Sequence, residues 1–178
     1  MKSISLFILS LIISSTIMAQ TNFHSFKAKD IDGNEVMLSK YAGKKLLIVN
    51  VASKCGYTKQ YKDLQELYNS FGGSNFEIIA FPANDFLSQE PGSNDEIKAF
   101  CTQNFGVSFT MMSKISVTGD KIDPIYQWLT QKSQNGVLDA PVKWNFQKFM
   151  IDENGNLVDF CEPKELPTSD KILNWLKK

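Results

Sequence analysis

The stretch that most constrains the fold is Ile48–Tyr68, IVNVASKCGYTKQYKDLQELY. Leu46, Leu47, Ile48, Val49 and Val51 form a nearly continuous β-prone apolar run, the pattern of a strand buried on both faces. A helical pattern then takes over. Tyr61, Leu64, Leu67, Tyr68 and Phe71 recur at three- and four-residue steps, with Lys62, Asp63, Gln65 and Glu66 between them. Cys55-Gly56 stands at the join. A strand-to-helix junction offers unpaired backbone N–H groups and the positive end of a helix dipole, and Lys54 adds a cation. All three favour the thiolate, which is the nucleophilic form of cysteine. A cysteine taken alone is more often an inert packed residue, so the junction and Lys54 carry the case for reactivity.

The rest of the chain reads as strands alternating with helices. Phe23–Tyr41 is a hairpin turning at Asp32-Gly33. Lys45–Val51 is the first core strand, Thr58–Phe71 the first helix, ended by Gly72-Gly73, and Asn75–Pro82 a second buried strand. The loop Ala83–Gly92 follows. Ser93 and Glu96 then make a capping box for a helix carrying Ile97, Phe100 and Cys101 and ending at Gly106. Phe109–Val117 is expected as a strand. Asp123-Pro124 starts a helix with Ile125, Trp128 and Leu129, and Gln131–Val142 is a polar loop. Phe146–Asp152 and Asn156–Cys161 form a hairpin, and a last helix runs from Ser169 to Lys177 with Ile172, Leu173 and Leu176 inward. Strand–helix–strand units require right-handed crossovers and a largely parallel core, to which the hairpin adds an antiparallel edge.

Composition removes several function classes. The 178 residues suit one domain, and 19 basic side chains balance 19 acidic ones, so no nucleic-acid or anionic-membrane surface is indicated. A single histidine, His24, excludes histidine triads and multi-histidine metal sites. Residues 1–19 have Lys2, an apolar run of about 15 residues and Ala19-Gln20. They read as a secretory signal peptide cleaved after Ala19, the run being shorter than the roughly 20 residues of a membrane span, with an uncleaved anchor as the alternative. The domain, residues 20–178, is therefore expected outside the cytoplasm, periplasmic or otherwise extracytoplasmic, where dithiols need a dedicated reductant. Three cysteines remain, Cys55, Cys101 and Cys161, without C-x-x-C spacing.

Three stretches carry a resemblance. NVASKCGYTKQYKDLQELY (50–68), FPANDFLSQEPGSN (81–94) and KWNF (143–146) resemble, in order and separation, the signatures of the glutathione peroxidase family. The resemblance covers the chain from about Phe23 to its end. It implies an α/β thioredoxin-like fold: an N-terminal β-hairpin and a central mixed sheet flanked by helices. It also implies a peroxidase for hydrogen peroxide and organic hydroperoxides, with Cys55 as peroxidatic residue and Gln89, Trp144 and Asn145 completing its tetrad. Their chemistry fits, because peroxide cleavage needs an ionised sulfur and donors that hold the departing oxygen. Indole and amide N–H groups donate without forming a salt bridge to the nucleophile. Taken alone, Gln89 is a loop amide, Trp144 could be core as Trp128 and Trp175 are, and Asn145 could cap a turn.

Cys101 stands where relatives that use thioredoxin have a resolving cysteine, although a cysteine beside Phe100 on an apolar helix face is ordinarily just packed. The resemblance therefore implies a thioredoxin-like reductant in preference to glutathione, and no metal, haem or flavin. The short stretch between Gly119 and Trp144 lacks the insertion used for tetramer contacts in larger relatives, which implies a monomer. Ala83 replaces a third cysteine of many relatives, and Asp85 and Leu87 replace a usual Gln and Gly in the loop that carries Gln89. Cys161 matches no family role and reads as a packed thiol. Two competing readings share the fold: an exported thiol–disulfide oxidoreductase, disfavoured by the missing C-x-x-C, and a redox-sensing protein that is oxidised at Cys55 without turnover.

Overall fold

The computed structural model describes residues 21–178, so the expected signal peptide lies outside the described residues. The described elements are β1 (Lys27–Lys29), β2 (Glu35–Met37), β3 (Lys45–Val51), α1 (Gln60–Phe71), β4 (Phe76–Pro82) and α2 (Asn94–Phe105). They continue with β5 (Thr110–Met111), α3 (Pro124–Thr130), α4 (Lys132–Asn135), β6 (Lys148–Ile151), β7 (Leu157–Cys161) and α5 (Asp170–Leu176). Among the described residues no helix is long and apolar enough to cross a membrane.

The main sheet has the order β5-β4-β3-β6-β7. The strands β3, β4 and β5 are parallel, and β6 and β7 form the antiparallel edge. β1 and β2 pair as the expected hairpin. The β3 run is buried because it faces two cores. Leu46 and Ile48 point into one, with α3, Phe23 and the N-terminal hairpin. Leu47, Val49 and Val51 point into the other, with Tyr61, Leu64 and Leu67 of α1, Ile97 and Cys101 of α2, and Ile172 of α5. This is period-two alternation with a covering layer on each side, the arrangement that a continuous apolar strand needs.

Four expectations are corrected. The first helix starts at Gln60 rather than Thr58, because residues before it form turns around Cys55. The expected strand Phe109–Val117 shortens to Thr110–Met111. Beyond it the backbone leaves a single partner: the Met112, Ser113 and Ile115 N–H groups donate to Ala80, Lys29 and Pro82 carbonyls respectively. Lys114 N–H donates to the Asn94 side chain. Within Gln131–Val142 the short α4 appears, ended by Gly136 at φ 75°. The buried Asn135 holds it, donating to the Trp128 carbonyl at 2.9 Å and accepting from Val137 N–H at 2.7 Å. In α5 the inward pair is Ile172 and Trp175, with Leu173 and Leu176 only partly covered. The capping box at Ser93 forms as expected, and α2 ends on Gly106 at φ 61°.

This topology gathers three sequence-distant segments. The loops after parallel β3 and β4 open at the same, carboxyl end of the sheet, where α/β proteins bind ligands. Because β6 runs antiparallel to β3, its entry lies at that end as well. Asn50, fully buried in β3, ties the entry down. Its side chain donates to the Trp144 carbonyl at 3.1 Å, and its own carbonyl accepts from Phe146 N–H at 2.6 Å. Replacing Asn50 by Ala leaves the Trp144 carbonyl without this donor. We expect a loss of about 1–2 kcal/mol in denaturant unfolding. Peroxide turnover is expected to fall as well, while a variant with full stability and activity would show that Asn50 is not the tie.

Candidate active site

Cys55 lies in a tight loop between β3 and α1 and is half-buried. Thr58 fixes that loop twice: its hydroxyl accepts from Cys55 N–H at 2.9 Å and donates to the Ala52 carbonyl at 2.8 Å. The sulfur itself accepts from Tyr57 N–H at 3.4 Å. The backbone donor expected at the junction is therefore present, supplied by a turn rather than by the first turn of α1. The Lys54 side chain is exposed and lines a cavity on the Glu90 side.

Gln89 sits on the loop after β4. Its backbone carbonyl accepts from Lys54 N–H at 3.0 Å, which joins the loop to the neighbour of Cys55. Its side-chain oxygen accepts from the Asn145 amide at 3.0 Å. Asn145 is fully buried, whereas Gln89 and Trp144 are partly exposed. With its oxygen engaged, the Gln89 amide keeps its N–H donors free, and Asn145 keeps one. Trp144 packs its ring on Phe86, centroids 5.3 Å apart, and lines a groove of about 600 Å³ with Tyr57 and Pro163. The structure thus joins Gln89 and Asn145 directly, and connects both to the Cys55 loop and Trp144 through backbone and ring contacts.

Several supporting residues escaped the sequence reading. Phe146 adopts φ 69°, a left-handed conformation that is strained for a bulky residue. Its buried ring meets Tyr61 edge-on, with centroids 5.4 Å apart. Gln147 pins the approach to Trp144 by accepting from Lys143 N–H and donating to the Ala140 and Pro141 carbonyls. Neither a bulky residue in a left-handed turn nor a buried amide has a signature in single-sequence patterns.

The two substitutions in the Gln89 loop now have physical content. Asp85 anchors the loop, its carboxylate accepting from Val117 N–H at 3.0 Å and from the Ser116 hydroxyl. Asn84 closes the other end by accepting from Glu90 N–H at 2.8 Å. At the tip, Leu87 and Ser88 have φ of 51° and 52°. The left-handed shape that glycine adopts without strain is kept here by a leucine.

Cys101 is 1 % exposed, and burial pushes its thiol up to about 11. The Tyr61 hydroxyl acts in the opposite sense, without a hydrogen bond of full geometry, and Glu90 reinforces the rise. Cys161 is fully buried and its thiol is likewise pushed up to about 11 by burial, in line with a packed residue. All three cysteines are free thiols. Among the described residues no three of His, Cys, Asp or Glu converge to hold a metal ion.

Comparison with known proteins follows the same lines. A family model described as glutathione peroxidase matches residues 23–130. The glutathione peroxidase homolog BsaA of Halalkalibacterium halodurans is 45% identical over 150 residues, spanning 84% of this chain and 95% of its own. The crystal structure of Trgpx in apo form superposes with a TM-score of 0.68 at 37% identity, covering 89% of this chain and 97% of that one. A thioredoxin family thiol:disulfide interchange protein from Chlorobium tepidum has a TM-score of 0.55 at 18% identity, covering 88% of this chain and 96% of that one, and shows a shared fold alone. The architecture is the thioredoxin-like one, a central mixed sheet flanked by helices, together with the two-stranded N-terminal hairpin.

The strain at the loop tip is directly measurable. The Leu87 side chain is 79% exposed, so removing it forfeits little packing. Leu87→Gly is expected to raise unfolding stability by about 1 kcal/mol through relief of the left-handed strain. Because glycine also loosens the unfolded chain, a loss of about 1 kcal/mol, the full entropic cost with nothing offsetting it, would mean that the conformation is not strained.

Proposed function

The chain belongs to the glutathione peroxidase family, and we propose that it turns over as a two-cysteine enzyme whose electrons come from a thioredoxin-like protein. It is a thiol peroxidase that reduces hydroperoxides. The Cys55 thiolate attacks one peroxide oxygen and the O–O bond breaks. That oxygen stays on sulfur as sulfenic acid, and the other leaves as water or alcohol after taking a proton. Trp144, Gln89 and Asn145 supply the N–H donors for the thiolate and the departing oxygen.

The observation that carries this reading is the Gln89–Asn145 hydrogen bond, because it ties together two amides distant in sequence and leaves N–H groups free beside the Cys55 loop. In the second half of the cycle, Cys101 attacks the Cys55 sulfur and the S–O bond breaks. The hydroxide leaves as water with the proton from Cys101, and a disulfide remains. A thioredoxin-like dithiol then reduces that disulfide by two exchanges. Since Cys101 is buried in α2, this step requires the helix to open.

Peroxide consumption with thioredoxin and its reductase tests the cycle. Wild type should turn over, Cys55→Ser should be inactive, and Cys101→Ser should stall after one equivalent. Normal turnover of Cys101→Ser with thioredoxin would make Cys101 a packing residue, and turnover only with glutathione would replace the reductant. We further propose that residues 1–19 direct export and are removed. Sequencing the mature protein from its native host should find Gln20 first; Met1 or a retained apolar run would overturn cleavage.

A further inference from the structure

Between the Cys55 loop and helix α2 lies a cavity of about 370 Å³. Ser53 and Lys54 wall it on one side, Ile97 and Phe100 of α2 on the other, and Glu90 lies between them. Glu90 is 1 % exposed, and neither of its carboxylate oxygens makes a hydrogen bond of full geometry. The buried Ser53 and Tyr61 hydroxyls likewise make no hydrogen bond of full geometry, Ser53 lying near Glu90 and Tyr61 near Cys101. Ser53 lies close enough to moderate the carboxylate but not to offset its burial, and a buried carboxylate so weakly held is costly. Here it sits under the helix that carries Cys101.

We propose that Glu90 is a positioning residue for the disulfide-forming half of the cycle: its buried carboxylate destabilises the closed seat of α2 and so promotes the opening that lets Cys101 reach Cys55. This rests on the resolving role proposed for Cys101. Glu90 does not enter the bond changes, which are those written above for disulfide and water formation. It sets how often the reacting pair can meet.

The charged and titratable groups around Glu90 are Lys54 from the Cys55 loop, Lys114 from the segment after β5, Tyr61 from α1, and Cys101 and Glu96 from α2, the last lining the same cavity with its carboxylate accepting from Ser93 N–H. The Lys114 ammonium is directed at the Glu90 and Gly92 backbone carbonyls, at 3.1 Å and 2.6 Å. Burial is the largest influence and holds the Glu90 carboxyl above its ordinary value near 4.5, while Ser53 and the two lysines only moderate it. The sign follows by linkage. With the closed form raising the value, the closed form is most stable below the ordinary value and loses stability as pH climbs through the raised one. Opening is therefore easier at neutral pH than in acid, by about tenfold for each unit by which burial raises the value.

The test compares reduced wild type with Glu90→Gln after one equivalent of hydrogen peroxide, from pH 4 to pH 8. Sulfenic acid at Cys55 is trapped with dimedone, and the Cys55–Cys101 disulfide is followed by alkylation and mass mapping. Oxidation of Cys55 should match in the two proteins. The ratio of disulfide-forming rates, wild type over variant, should exceed one at pH 8 and fall to one in acid. Removing the Glu90 charge also eases ionisation of Cys101 in the variant, which speeds the variant and works against the expected ratio, so a ratio above one does not come from it. A ratio independent of pH would overturn the proposal, because a merely structural effect has no reason to titrate with Glu90.

Hydrogen exchange over 94–105 in the reduced proteins supplies a readout that does not need Cys101 chemistry. Corrected for intrinsic rates, protection should fall with rising pH in wild type and stay level in Glu90→Gln. If this difference appears while no Cys55–Cys101 disulfide forms in either protein, Glu90 keeps its role and the resolving assignment falls. If the disulfide forms normally and wild-type protection is flat with pH, the Glu90 proposal falls alone. The wild-type profile decides the matter even where the variant does not fold.

Discussion

Everything at the site depends on β3 having a partner on each edge. Pairing with β4 runs parallel from Lys45 to Val51, and pairing with β6 runs antiparallel from Leu46 to Val49. A strand held this way cannot slide without moving Leu47 and Val49 from one core to the other. The same register decides where Cys55 emerges, where the Gln89 loop begins, and where Trp144 and Asn145 enter. The hydrophobic core and the geometry of the site are thus set by one constraint. Asn50 shows how closely they are joined, since it is a core position of β3 that also holds the Trp144 and Phe146 backbone.

The loops built on that frame are locally unfavourable. Leu87, Ser88 and Phe146 all have positive φ, and each such residue costs on the order of 1–3 kcal/mol. Their neighbours hold them in place. Asn84 and Asp85 clamp the two ends of the Gln89 loop, and the Phe86 ring rests on Trp144. The buried Phe146 ring packs against Tyr61. A residue that relaxed to ordinary angles would swing Gln89 or Asn145 away from its partner. The strain is therefore the local consequence of aiming amide donors from irregular backbone, supported by the regular elements beneath.

Much of this was legible in the residues. The β3 apolar run, the spacing of Tyr61, Leu64 and Leu67, the Ser93–Glu96 capping box and the Asp32-Gly33 turn are local signals, and the fold obeys them. The meeting of Gln89 with Asn145 could be expected only through the family resemblance, because no local pattern encodes a contact between two loops. The failures have the same origin. Phe109–Val117 has strand-like composition, yet side chains such as Asn94 and Asp85 compete for its backbone N–H groups. The burial of Glu90 was illegible because a glutamate in a polar loop ordinarily points to solvent, and only the packing of α2 over it reverses that.

The proposed cycle asks Cys55 to react before Cys101 and leaves Cys161 idle, and the surroundings of the three thiols support that order. Cys55 is half-buried with an N–H directed at its sulfur, so peroxide meets it in a donor-lined loop. Burial holds the Cys101 and Cys161 thiols near 11. At pH 8 about one in a thousand of either is ionised, too few to compete for oxidant. What separates these two is what lies around them. Cys161 is in β7 opposite Lys148, whose buried ammonium is held by the Gln60 side chain and the Pro163 and Glu165 carbonyls, a network with every donor engaged. Cys101 is on a helix seated over a cavity and the buried Glu90 carboxylate. The Cys161 thiol beside that network has no reason to move, whereas on the reading proposed above Cys101 is kept from oxidant while α2 is closed and released when it opens. In the cycle proposed above, the order Cys55 first and Cys101 second is then supported by burial and hydrogen bonding without any difference in the intrinsic chemistry of the two sulfurs.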